Sequence, residues 1–264
     1  MRPPAHVVAA FRGSGEPVSI PGGRGGSWRV GGVVLKRSAS TDPDLAEAGL
    51  AWQASHLPET PVRLARPVAS TAGRYVVDGW TATAFLPGEH RPARWLDVVA
   101  AGDALHEALA GVSRPPMLDE RTDPWAIADR VAWGERAAGA PVPTPLTRRL
   151  EGLLEPVPVA RQLVHGDLTG NVLFADGLPP AVLDLSLYWR PRDYATAIVL
   201  VDALTWEGAT PAQLAPVLQR SSLHQLMLRA LLFRHIAAQL LDRAATARDE
   251  GRYDPALDLA LALR

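Results

Sequence analysis

The apolar residues of this chain pass from mostly strand-like to mostly helical spacing near Leu86-Pro87-Gly88-Glu89, and that change limits the folds open to it. Before it lie short β-branched or aromatic runs. Val18 to Ile20, Trp28 to Val30 and Val33 to Arg37 are separated by Pro21-Gly22-Gly23-Arg24-Gly25-Gly26 and by Gly31-Gly32, which predicts three antiparallel strands. Asp42-Pro43 then sets an N-cap and a first-turn proline for a helix running to about His56. Arg63 to Val68, Arg74 to Val77 and Thr81 to Phe85 read as further strands, with Asp78-Gly79 as a tight turn. Beyond Glu89 the spacing is helical, as in Trp95, Val98, Gly102, Leu105 and Leu109, and cap-plus-proline pairs recur at Asp123-Pro124, Thr210-Pro211 and Asp254-Pro255. One β-island interrupts it, at Gln162 to Val164, Val172 to Phe174 and Ala181 to Leu183. The expectation is an α+β chain with a small antiparallel β-rich lobe over residues 1–88, a hinge at Phe85 to Glu89, and a larger helical lobe over residues 89–264.

Composition narrows the partners. With 264 residues, 47 % hydrophobic and 21 % charged, the chain carries a real core and is not disordered. Nine basic and six acidic residues precede Gly88 and 18 basic and 22 acidic follow it, so the halves lean +3 and −4 and sum to the net charge of −1. No basic cluster exists to bind a nucleic-acid backbone. The longest apolar stretches, such as Tyr194 to Trp206, are broken by charge (Asp202) short of the roughly 20 residues a bilayer crossing needs, so no membrane association is expected. The N-terminus carries no apolar core of the secretory type, which leaves the cytoplasm as the default expectation. There is no cysteine, so disulfides, thiol nucleophiles and Cys-ligated metals are excluded. Oligomeric state is left open. Against 26 Arg, Lys36 is the sole Lys, and Asn171 is the sole Asn. A coding bias that swaps Lys for Arg wherever charge alone is wanted makes both residues suspects for chemistry.

The second of them sits in His165-Gly166-Asp167-Leu168-Thr169-Gly170-Asn171, a loop between two island strands, with Asp184 at the end of the next strand. Two carboxylates and a carboxamide are hard oxygen ligands of the kind that hold Mg²⁺ together with substrate phosphates. Phosphoryl transfer also needs a group to orient the attacking hydroxyl, and a second Asp can accept its proton. A polar turn in which Asp and Asn only satisfy backbone donors is the alternative. Lys36 closes the run Val33-Val34-Leu35-Lys36, where it can meet phosphate oxygens beside backbone N–H groups of the turn Gly25-Gly26-Ser27. Glu47 on the following helix can hold Lys36 as an ion pair or lie on an exposed face. The glycine-rich turn is not a dinucleotide loop, because a strand follows it and no helix does.

The order of these parts resembles the protein-kinase-like fold in its aminoglycoside phosphotransferase branch, over essentially the whole chain. The resemblance implies an ATP- or GTP-dependent, Mg²⁺-dependent phosphotransferase acting on a hydroxyl of a small molecule. It implies Asp167 as catalytic base, His165 as orienter of the catalytic loop, Asn171 and Asp184 as metal ligands, Lys36 on the α/β-phosphates, and backbone groups of Ala84, Phe85 and Leu86 toward adenine. Four steps separate Asp167 from Asn171 where the kinase pattern has five. Either the loop takes a tighter path through Gly170, which tolerates positive φ, or Asn171 leaves the metal. A nucleotide-binding pseudoenzyme and a metal-dependent hydrolase built on His165, Asp167 and Asp184 are the rival readings.

Overall fold

The computed structural model describes all residues except 21–25, 39, 136 and 243–249. Gly25, expected in the phosphate turn, falls outside the described residues. The chain divides into two compact units, the first made of Met1–His90, Gly111–Glu120 and Gly170–Asp184, the second of Arg91–Ala110, Arg121–Thr169 and Leu185–Arg264.

The first unit is built on an antiparallel sheet of five strands in the order β1-β2-β3-β6-β5. Its strands are β1 (Val18–Ile20), β2 (Ser27–Val30), β3 (Val33–Arg37), β5 (Val76–Val77) and β6 (Trp80–Ala84). The first three agree with the apolar runs to within a residue. Asp78 and Gly79 both take positive φ, 48° and 74°, the conformation that lets a two-residue turn follow the strand twist. Period-two alternation sends Val30, Leu35, Trp80 and Ala82 to one face, where they bury against Val7 and Phe11. Phe11 is the C-cap, and Val7 a member, of α1 (Ala5–Ala10), a helix not anticipated from the sequence. It has a single turn's spacing, Val7 to Phe11, to signal it. The alternation puts Lys36 on the face opposite Leu35.

The helix α2 (Pro43–His56) begins as its sequence predicts, Asp42 accepting from the N–H groups of Asp44 and Leu45. The expected strand from Arg63 to Val68 shortens to β4 (Arg63–Leu64), which pairs in parallel with β9 (Leu178–Val182) and not with the five-stranded sheet. β9 in turn pairs antiparallel with β8 (Val172–Ala175). Proline at 67 cannot donate to a ladder and keeps only an isolated bridge to Thr83. The β-island is thus not one sheet within the helical lobe, because β8 and β9 belong to the first unit.

In the second unit β7 (Arg161–His165) pairs antiparallel with β10 (Leu187–Pro191), and His165 lies opposite Leu187. The sequence predicts no strand at 187–191. The unit's helices are α3 (Trp95–Leu109), α4 (Pro124–Ala132), α5 (Pro145–Glu151), α6 (Arg192–Trp206), α7 (Pro211–Leu214), α8 (Leu223–Leu241) and α9 (Asp254–Ala262), of which α3 and α6 pack on this ribbon. α6 and α8 are buried on nearly every side, and α4, α5, α6 and α9 all pack on α8. Asp123 caps α4 through the N–H groups of Trp125 and Ala126, and Thr210 caps α7 in a box with Gln213. Asp254 is the first helical residue of α9 and not its cap. Among the described residues no helix is long and apolar enough to cross a membrane.

Candidate functional site

The first unit brings Lys36, Asn171 and Asp184 together. The β8–β9 register sets Val172 opposite Val182, and one step further the N–H of Leu183 donates to the carbonyl of Asn171 at 2.9 Å. Asn171 and Asp184 therefore leave the same end of this ladder. Asp184 holds φ at +45°, a left-handed conformation uncommon outside glycine and concentrated at functional sites. Its carboxylate accepts a charge-assisted hydrogen bond from the Lys36 Nζ.

Glu47 is not the partner of Lys36. Its two oxygens accept from the N–H groups of Tyr75 and Val76 at 2.8 and 2.7 Å, and Arg74 Nε lies 3.3 Å away. Two donors at the start of the edge strand β5 and an adjacent guanidinium outweigh one lysine, and Glu47 ties α2 to that edge.

At the turn, Gly26 takes φ +148°, which L side chains rarely adopt, and Ser27 opens β2 opposite Ile20. At the expected adenine segment, the Ala84 N–H donates to the Arg66 carbonyl and the Phe85 N–H to the Gly32 carbonyl, both at 2.9 Å. Those two N–H groups are engaged within the first unit. Just after it, Glu89 exchanges both backbone hydrogen bonds with Phe174, and at Gly88 a Cβ would come within 3.0 Å of the Leu173 Cβ. The segment lies close against β8 because residue 88 has no side chain.

The second unit holds His165 and Asp167. Gly166 donates its N–H to the Ser186 carbonyl at 2.8 Å, and a Cβ on it would meet two Tyr188 ring carbons at 2.6 Å. The Tyr188 ring is itself buried, with Phe233 edge-on at 5.8 Å and Arg121 over it. Gly166→Ala is therefore expected to destabilise the protein by about 1–3 kcal/mol, the usual cost of overpacking, read as a lower urea midpoint with an unchanged slope. Leu168 is buried in the notch left by Gly102 on α3. Between these two anchors the Asp167 N–H donates to His165 Nδ1 at 3.2 Å, which puts the ring proton of a neutral His165 on Nε2. His165 thus acts on the loop backbone.

Three residues around Asp167 were not singled out from the sequence. Arg234 on α8 donates Nη2 to the Asp167 Oδ1 at 2.8 Å. The same guanidinium grips Asp202 of α6 through Nε at 2.8 Å and Nη2 at 2.5 Å. Burial pushes the Asp202 carboxyl upward in pKa, and the Arg234 guanidinium opposes that shift. Asp202 and Arg234 stand alone as charges inside apolar helical runs, Ile198 to Leu204 and Leu231 to Ile236. That pattern signals a buried pair. The third, His106 of α3, is buried and accepts the His165 N–H on Nε2 at 2.9 Å. Burial above all, and then the neighbouring His165, hold its pKa down at about 3, so it is neutral.

The residues present fit Mg²⁺. Among the described residues no group of three or more His, Cys, Asp or Glu side chains could hold a metal by itself. One carboxylate, Asp184, with one carboxamide, Asn171, is a hard-oxygen donor pair that Mg²⁺ uses when phosphate oxygens and water complete its shell. Gly170, one step before Asn171, takes φ +76°, a conformation glycine adopts without strain.

No protein-family model matches the chain, and no curated protein matches it by sequence. Solved structures do. A thermostable mutant of aminoglycoside phosphotransferase APH(4)-Ia, in ternary complex with AMP-PNP and hygromycin B, superposes with a TM-score of 0.61 at 18% identity, covering 96% of this chain and 97% of that one. APH(2″)-IIa in complex with gentamicin gives 0.59 at 12% identity, over 99% and 97%. Spectinomycin phosphotransferase APH(9)-Ia with ADP and spectinomycin gives 0.53 at 11% identity, over 94% and 92%. The chain has the α+β fold of the aminoglycoside phosphotransferases, as the order of its motifs implied.

Proposed function

We propose that the protein is an ATP- and Mg²⁺-dependent phosphotransferase that moves the terminal phosphoryl group of ATP to a hydroxyl of a small molecule. The observation that carries the reading is the left-handed Asp184 in contact with Lys36 and leaving the same ladder end as Asn171. A strained acid, the single lysine and the single asparagine of the chain meet in one unit, as phosphate and metal binding require. Solved neighbours include complexes with AMP-PNP, ADP and ATP, which favours ATP over GTP.

In this reading Lys36 turns from Asp184 to the α/β-phosphate oxygens, the Leu86 backbone meets adenine, and the turn at Gly26 and Ser27 lies along the phosphates. Asp184 and Asn171 would hold Mg²⁺, which when bound offsets the charge on the phosphate oxygens. Asp167 accepts the proton of the acceptor hydroxyl as its oxygen bonds to the terminal phosphorus. The bond from that phosphorus to the β–γ bridging oxygen breaks, and ADP leaves. His165 and the glycine contacts hold the loop that carries Asp167.

The acceptor is a small hydroxylated molecule. The named acids Asp167, Asp184 and Asp202 face two cations, Arg234 and Lys36, an acidic excess of one charge. A polycationic acceptor calls for a larger acidic excess, so an aminoglycoside is not assigned.

Thermal denaturation tests the nucleotide half of the reading. AMP-PNP with Mg²⁺ at 100 times its dissociation constant is expected to stabilise the protein by about 2.7 kcal/mol. Lys36→Ala is expected to lose that gain. An unchanged midpoint for the wild type at millimolar Mg²⁺–AMP-PNP contradicts the reading, and equal affinity in Lys36→Ala removes Lys36 from the site.

A further inference from the structure

We propose that Arg234 is a positioning residue for phosphoryl transfer, fixing the Asp167 carboxylate from a base anchored on Asp202. The inference rests on the catalytic reading of Asp167. Arg234 is 7 % exposed and Asp202 5 %, whereas Asp167 is 38 % exposed. The bridge therefore runs from the interior to the reactive loop.

Stability alone gives no reason for this arrangement. A buried Arg–Asp pair contributes little over an apolar pair of similar volume, because both charges leave water. What the pair does provide is direction. The guanidinium is planar and its donors are fixed relative to one another, so gripping Asp202 through Nε and Nη2 decides where the second Nη2 hydrogen bond points. It points at Asp167 Oδ1. The plane is further confined by the Phe233 and Trp125 rings, whose centroids lie 5.3 and 5.6 Å from the Arg234 Cζ. With its side chain on Arg234 and its N–H on His165, Asp167 is held at two points, and the carboxylate presents itself to the acceptor in one orientation. A lysine could carry the charge but not the two-way grip.

The test needs no acceptor, because water serves as one. Phosphate release from Mg²⁺–ATP is measured in the wild type, Asp167→Asn, Arg234→Met and the double variant, alongside AMP-PNP affinity. Arg234→Met is expected to lower kcat about 100-fold with nucleotide affinity unchanged, the scale of a small misplacement of a reacting group. The double variant is expected to be no slower than Asp167→Asn, since Arg234 acts through Asp167. Multiplying losses in the double variant overturn the proposal. If Arg234→Met does not fold, Arg234→Met/Asp202→Leu removes both buried charges, and Arg234→Lys keeps the charge in a folded chain. Both are expected to keep nucleotide affinity yet stay slow, and wild-type kcat in either overturns the proposal. A wild type that neither releases phosphate above the protein-free rate nor phosphorylates any hydroxylated small molecule offered to it fails differently, because it removes the phosphotransfer reading itself.

Discussion

Asp184→Asn is expected to abolish the Mg²⁺ dependence of nucleotide binding, whereas Asp167→Asn is expected to keep it and lose turnover. The two acids sit in different units with different partners, Asp184 on Lys36 and Asp167 on Arg234 and His165. Replacing a metal-binding carboxylate by a carboxamide removes the one formal charge that this donor set offers Mg²⁺. Replacing the base removes the proton acceptor, a loss on the order of 10²- to 10⁴-fold in kcat, while the nucleotide contacts of the first unit stay in place. Titration calorimetry with AMP-PNP, with and without Mg²⁺, gives one axis and ATP turnover the other. Equal binding losses in the two variants mean that the roles are misassigned.

The second large effect concerns stability and pH. His106 must stay neutral to accept the His165 N–H, and its pKa in the folded protein is held down at about 3. In the unfolded chain it titrates at its ordinary value, near 6.5. Between pH 6.5 and about 3 the unfolded state therefore binds a proton that the folded state refuses. The contribution is fully present above 6.5 and is lost as the pH falls, by about 1.4 kcal/mol for each pH unit. The Asp103 carboxylate favours protonation, while Arg192, Arg220 and His165 oppose it, so no single neighbour cancels the effect. Urea unfolding at pH 7, 5.5 and 4 should show the wild type losing stability faster than His106→Gln. Parallel profiles for the two proteins contradict the assignment.

The parts of the fold that the sequence disclosed are the local ones. Asp42-Pro43 and Asp123-Pro124 place two helix starts because an N-cap and a first-turn proline act over three residues. Asp78-Gly79 marks its turn because φ > 0 at two successive residues selects such a pair. The pairing of the β-island was not legible. β7 finds β10 and β8 finds β9 and β4, choices settled by packing between distant segments that no short window contains. Within the site, Lys36, Asn171 and Asp184 were legible because each is rare or strictly spaced, and the structure brings them to one unit. Glu47 was read as a partner of Lys36 from order alone, and the edge of β5 took it instead. Asp202 was read only as a charge that breaks an apolar run. An acid inside one buried apolar run and a guanidinium inside another is the pattern of a buried pair, and Arg234 answers it.

The fate of the labelled γ-phosphate of ATP tests the central claim most directly. Incubated with Mg²⁺ and a panel of hydroxylated small molecules, the wild type is predicted to convert ATP to ADP. The label should leave as a phosphomonoester of one acceptor or as inorganic phosphate, and Asp167→Asn should stop both. ATP that stays intact at the protein-free rate, across the panel and in water, contradicts the account.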